Sequence, residues 1–232
     1  MNQAQSNPIN YNSMKSKLTS LLALSALAVS IPVAHGATVV SYNFATNTSP
    51  TTQLANTTST AVTFAGFSGA SSWSSGQHVF GRGPANGTPT SYIAFTINAD
   101  SGFTLDLTQM TFDYWMSQIQ TTTGSPAFTF EVRSSVDSFA AAVPGTYSVN
   151  PVTPATAGAT AIQTASLDLS GGNFDGLETV TFRLLVRGNV TPNTNDIARW
   201  DNISVQGSAA IPEPAAALLG FMGLLTLLRR RR

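Results

Sequence analysis

The sequence contains no cysteine, which excludes disulfides, thiolate nucleophiles and every cysteine-based metal site at once. That absence does not argue against export, because a domain of about 170 residues can bury a core without covalent staples. Charge is almost as scarce: only 9% of the 232 residues are Asp, Glu, Lys or Arg. The formal net charge of zero hides an uneven distribution. The only lysines, Lys15 and Lys17, lie near the start, and Arg229, Arg230, Arg231 and Arg232 close the chain. Between Ala37 and Ala210 five arginines stand against ten carboxylates, a net of −5. Phosphate contacts need Lys and Arg, so nucleic acid is not an expected partner. Histidine is limited to His35 and His78, which leaves a transition-metal site poorly supplied.

Two apolar segments are present, one at each end. In "MKSKLTSLLALSALAVSIPVAHGA" two lysines precede an apolar run over 18–33, and Ala34-His35-Gly36 supplies a small-x-small site. This is the pattern of a signal peptide cleaved after Gly36, with 1–13 upstream of an alternative start at Met14. His78 is then the one histidine of the mature chain. At the other end Pro214 suits the first position of a helix, and 215–228 is uninterrupted and apolar. Fourteen residues at ~1.5 Å each give a helix of about 21 Å, short for a hydrocarbon core but extendable by snorkelling arginines. The four arginines fix its C-terminus on the cytoplasmic side.

Pro212-Glu213-Pro214, a short apolar helix and a terminal arginine cluster together resemble the PEP-CTERM sorting signal of exported proteins of Gram-negative bacteria that make extracellular polysaccharide. The resemblance covers 211–232, with all three parts in register and a signal peptide opening the same chain. It implies recognition by an exosortase, an integral-membrane cysteine transpeptidase-like enzyme, with processing near Pro212–Pro214. On that reading the protein is a substrate of the sorting machinery and is held in the inner membrane only in transit.

Between the two ends, strand-like runs are separated by Gly, Pro, Asn and Ser. The pattern predicts strands at 38–44, 61–67, 91–98, 105–116, 128–134, 162–169, 180–187 and 199–206. Val180, Phe182, Leu184 and Val186 share one face of their run, as do Ile93, Phe95 and Ile97, and Phe128, Phe130 and Val132. Half-buried alternating strands predict an all-β, jelly-roll-type antiparallel β-sandwich over 37–207. A signal helix (1–36) and a sorting segment (208–232) with its transmembrane helix flank it. The runs "SYNF", "EVRSSVDSF", "LDLSGGNFDGLETVTFRLLVRG" and "RWDNISVQG" also resemble bacterial exoprotein sandwiches of lectin-like or carbohydrate-module type. That likeness implies a fold more than a function.

Candidate chemistry within the domain is thin. His78 sits in "SSGQHVFGRG", read as a loop, with no nucleophile-elbow motif beside it. Asp113 and Glu131 fall on the polar parity of their strands with Arg133. A carboxylate pair of that kind serves glycoside hydrolysis when it flanks one bond, but reads more simply as a solvated charge set. The test of the catalytic alternative is whether Glu131→Gln abolishes turnover of matrix polysaccharide. Asp201 shares parity with Ile203 and Val205 and is expected to point inward, where it needs a cation, pairing of the Arg199 type or backbone donors. Modules that this domain resembles carry structural calcium where first and last strands meet, which makes Asp201 and the amide oxygen of Asn43 its candidate ligands. Trp115 shares parity with Thr111 and Asp113, opposite Phe112 and Tyr114, and so faces outward. Trp73 is expected in a Ser/Gly loop. Either ring offers a face to a sugar, and the Ser/Thr-dense tract 46–60 permits O-glycosylation. The expectation is a non-enzymatic structural or adhesive protein of the cell surface or extracellular matrix. Its processing partners are signal peptidase and an exosortase, it takes no cofactor beyond calcium, and lectin-like carbohydrate binding is the alternative.

Overall fold

The computed structural model describes residues 36–74, 78–87, 90–117, 127–145, 160–188 and 194–211. The chain divides into 1–34 and 35–232, and every described residue belongs to the second unit. The signal segment up to residue 35, and the Pro212–Arg232 sorting segment with its apolar helix, lie outside the described residues. Among the described residues no helix is long and apolar enough to cross a membrane.

The second unit is an all-β sandwich of two sheets. In chain order its strands are β1 (Ala37–Tyr42), β2 (Thr52–Gln53), β3 (Thr57–Ser59), β4 (Thr63–Ala65), β5 (Ser71–Ser74), β6 (His78–Arg82) and β7 (Ala85–Asn86). Then come β8 (Ser91–Ala99), β9 (Thr104–Ser117), β10 (Phe128–Ser134), β11 (Gln163–Asp168), β12 (Thr179–Gly188) and β13 (Ile197–Ala210). One sheet runs β11-β9-β13-β1-β2, with β6 on β13 and β5 on β6; the other runs β10-β12-β8-β3, with β4 on β8 and β7 on β12. Among the described residues all strand pairings are antiparallel except the short parallel contact of β7 with β12.

The eight runs with clear alternation became β1, β4, β8, β9, β10, β11, β12 and β13. Their apolar parity faces the partner sheet: Ile93, Phe95 and Ile97, Phe128, Phe130 and Val132, and Val180, Phe182, Leu184 and Val186 are all buried. Aromatic rings join the sheets, with Tyr114–Phe130 centroids at 4.6 Å, Tyr42–Phe95 at 5.1 Å and Trp200–Phe130 at 5.8 Å. Burying each such side chain stabilises the fold by about 1.5–3 kcal/mol before conformational entropy is counted.

β13 organises the larger sheet. One edge pairs with β9 from Ile197↔Ser117 to Ala210↔Thr104. The other edge is shared, with β6 on Ile197–Trp200 and β1 on Ile203–Gly207. Between those two partners the register shifts after Asp201, and Asn202 adopts a left-handed backbone (φ 48°). This β-bulge changes the facing of every residue beyond it. Trp200, Ile203 and Val205 all point into the core, and Asp201 points out. The expectation of an inward Asp201 is therefore corrected: unbroken alternation holds only on a strand without an inserted residue.

Candidate functional site

The outer face of the larger sheet gathers its aromatic and charged side chains at the β6 end of β13. Phe112, Tyr114 and Met116 of β9 go into the core, so Thr111, Asp113 and Trp115 lie on the opposite face, each half-buried. Arg199 pairs directly with Trp115 on one side and Phe80 on the other, and Ser72 continues the row on β5. His78 and Arg82 flank Phe80 at two-residue spacing on the same face of β6.

The contacts in this row are specific. The His78 ring meets Trp115 edge-on, centroids 5.5 Å apart and planes at 64°. Arg199 reaches His78 Nε2 with Nη1 and donates from Nε to Ser117 Oγ. Its guanidinium lies 6.0 Å from the Phe80 centroid, and that of Arg82 lies 5.7 Å from the same ring. Burial, with the repulsion of Arg82 added, lowers the proton affinity of Arg199. His78 opens a strand and is buried, so the loop placement expected for it is corrected.

An acidic pair continues the same face. Asp113 and Asp201 stand directly opposite on β9 and β13. Asp113 accepts from Thr164 Oγ1 at 2.7 Å and from Asn202 Nδ2 at 2.9 Å, and Asp201 accepts from the Asn202 N–H at 2.7 Å. Burial raises the Asp201 pKa; the Asn202 N–H pulls the other way, and the Asp113 charge raises it further. Asn43, expected as a co-ligand, accepts at its amide oxygen from Thr51 Oγ1 at 2.9 Å and from the Ala45 N–H at 3.1 Å. Among the described residues no three His, Asp or Glu side chains come together. What Asp201 faces is a second carboxylate rather than Asn43.

Two further expectations are corrected by the packing. Trp73 is in β5 rather than a loop, paired with the inward Val79, packed against the core and donating its indole N–H to the Phe44 carbonyl. A ring held in this way is a structural element. Glu131, for its part, is on the smaller sheet. It accepts from Arg133 Nε at 2.7 Å and has Arg187 at 4.0 Å. Since Tyr114 and Phe130 meet inside the sandwich, their neighbours Asp113 and Glu131 leave from opposite outer faces. They cannot flank one glycosidic bond, so the carboxylate pair does not exist as a unit.

The face thus offers one half-buried indole, cationic donors at Arg199 and Arg82, an imidazole, and carboxylate acceptors at Asp113 and Asp201. That set fits a neutral polyhydroxylated ligand, whose hydroxyls both donate and accept and whose ring can lie on an aromatic face. The outward Trp115 was legible from its parity, whereas Phe80 and Arg199 were not assigned. The signal for them was the period-two run His78, Phe80, Arg82.

No family model and no curated protein matches the chain. Among solved structures it is similar to the CBM22-1 xylan-binding domain of Xyn10C from Paenibacillus barcinonensis, at 9% identity and a TM-score of 0.34, over 75% of this chain and 96% of that one. It is also similar to the K3 cleaved adhesin domain of Lys-gingipain from Porphyromonas gingivalis w83, at 13% identity and a TM-score of 0.30, over 56% and 72%. A third likeness is to the arabinose-bound α-L-arabinofuranosidase MgGH51, at 9% identity and a TM-score of 0.34, over 74% of this chain but 27% of that one.

Proposed function

We propose that the chain is an exported, non-enzymatic protein whose jelly-roll-type sandwich binds polysaccharide through the Trp115 face of its larger sheet. The observation that carries this reading is the cross-strand row Trp115–Arg199–Phe80, with Asp113 and Asp201 one step further along the face. A solvated sheet surface chosen only for solubility has no reason to collect an indole, an imidazole and two arginines around one position.

Export and sorting are argued from sequence. The apolar segment before Gly36 and the Pro212-Glu213-Pro214, apolar and arginine series are the two addresses. On this proposal an exosortase processes the chain near Pro212–Pro214 and releases it from the inner membrane to the cell surface or extracellular matrix. A structural or adhesive role in that matrix accords with glycan binding on a module whose Asp113 and Glu131 stand on opposite outer faces.

Two measurements test the two parts. A glycan array with the full chain should show binding to neutral polysaccharides that Trp115→Ala abolishes with the fold intact; array binding unaffected by that substitution would remove the Trp115 face from the proposal. The C-terminal mass of the mature protein should end near Pro212–Pro214; a chain that retains Arg232 would overturn the sorting assignment.

A further inference from the structure

Five arginines lie in the described domain, and three of them are on the outer face of the smaller sheet. Arg133 of β10 and Arg183 of β12 are directly opposite, and Arg187 is four residues along β12 on the same face. One carboxylate, Glu131, serves this group. Arg133 binds it through Nε and Nη2, both at 2.7 Å to Oε1, and Arg187 approaches Oε2 at 4.0 Å. One further donor of each goes to a carbonyl, Arg133 Nη1 to Phe139 and Arg187 Nη1 to Gly87, both at 3.1 Å. Asp137, in the turn after β10, has its two carboxylate oxygens engaged by the Ala140 and Ala141 N–H groups. Counting the three arginines and Glu131 alone, the sheet face sums to +2 on a domain of net −5.

Arg183 is the odd member. Its guanidinium lies 3.6 Å from the Phe139 ring centroid and 4.6 Å from that of Tyr92, and no described side chain or carbonyl accepts a hydrogen bond from it. Like charges directly opposite across a ladder are unfavourable, and Arg133 already holds the one carboxylate. The Phe139 ring is held over Arg183 by backbone that side chains avoid: Ser138 and Phe139 are both left-handed, at φ 60° and 62°. The Phe139 N–H bond to the Ser134 carbonyl, 2.8 Å, and the Arg133 bond to the Phe139 carbonyl fix that turn. The arrangement seats one guanidinium between two rings and leaves its fork of donors without a described acceptor.

We propose that this face is a second ligand site, independent of the Trp115 face, that takes the carboxylate of an acidic saccharide on Arg183. A planar guanidinium whose fork has no described acceptor matches a carboxylate in a two-point bond. A uronate carries that carboxylate on a ring whose apolar face can lie on Tyr92, which is half-buried beside Leu185 of the next strand. The Tyr92 ring beside Arg183 gives a sugar ring an apolar face to rest on, a feature an acidic peptide does not require. Duplex nucleic acid presents an extended array of phosphates that needs many Lys and Arg, and this face holds three arginines.

The test is calorimetric titration of the full chain with an oligogalacturonate, with neutral dextran, dextran sulfate, polyglutamate and duplex DNA as parallel probes. The expected result is oligogalacturonate binding that weakens with salt, falls by about tenfold or more in Arg183→Gln, and is not restored by Arg183→Lys, which keeps the charge and loses the fork. Arg187 is 38% exposed along its side chain, so Arg187→Gln should leave the domain folded and weaken binding by about threefold. Trp115→Ala should leave oligogalacturonate binding unchanged, so failure of either face is recognisable apart from the other. No oligogalacturonate binding at low salt, or binding indifferent to both arginine substitutions, overturns the proposal. Equal or tighter binding of dextran sulfate, polyglutamate or DNA overturns it too, since the patch is then a general anion surface.

Discussion

Asp113 and Asp201 face one another across neighbouring strands, two carboxylates in direct cross-strand register at the edge of the proposed glycan face. Such a pair opposes folding whenever both are ionised. Asp201 carries the cost, because burial first and the Asp113 charge after it raise its pKa.

The sign of the pH dependence follows. A carboxyl group whose folded pKa lies above its unfolded value binds more protons in the folded state between the two values. Its contribution is therefore full below about pH 3.9, the ordinary aspartate value, and is lost as pH rises through the raised pKa of Asp201. Asp201→Asn keeps an oxygen for the Asn202 N–H and should raise stability near neutrality by about 0.5 kcal/mol, discounted for partial exposure. Urea midpoints from pH 3 to pH 8 check this: the wild-type curve should converge on the variant's at the acid end and fall below it at neutral pH. Calcium that stabilised the wild type but not Asp201→Asn would assign the pair to a cation.

The two tryptophans separate structure from function. Trp73→Ala removes a ring packed on the core and orphans the Phe44 carbonyl, and should cost about 2–3 kcal/mol without selective loss of glycan binding. Trp115→Ala should cost about 1 kcal/mol or less and remove neutral-glycan binding. Chemical denaturation and the glycan array, run on both variants, give the contrast.

Gly81 makes room for a ring. A methyl group there would stand 2.4 Å from the Phe67 side chain, so Gly81→Ala should destabilise by about 1–3 kcal/mol. In a Phe67→Ala background the same change should cost less than about 0.5 kcal/mol, because the collision is gone. A double-mutant cycle by thermal unfolding reads this coupling.

Glu131→Gln should destabilise by about 2 kcal/mol, since it takes a 10%-exposed carboxylate from Arg133 and from the nearby Arg187. It should also strengthen oligogalacturonate binding by removing the one competing anion. Denaturation and titration on the same sample measure both effects.

The long strands were readable because their apolar residues occur every second position over five residues or more, as in Val180 to Val186. The five strands missed, β2, β3, β5, β6 and β7, are two to five residues long and built from Ser, Thr, Gly, Asn and Ala more than from apolar residues. In β6 the inward pair is Val79 and Gly81, and the space an apolar side chain would fill belongs to Phe67, which arrives from elsewhere in the chain. Without β6, parity alone placed Trp115 outward but could not supply Phe80 or Arg199 beside it. The Asp201 error has a similar origin. Asn202 tolerates the left-handed backbone a bulge requires, and it was the one local sign that alternation would break there.

β13 also has a mechanical meaning. Its ladder with β9 begins beside the Trp115–Arg199 pair and ends at Thr104–Ala210, about 36 Å further on at ~3.3 Å per residue. A chain tethered beyond Ala210 and held by a glycan at Trp115 would carry the load along this ladder, from one end to the other. Its hydrogen bonds would then be strained together in shear rather than opened singly like a zip, the geometry in which a sheet resists pulling best.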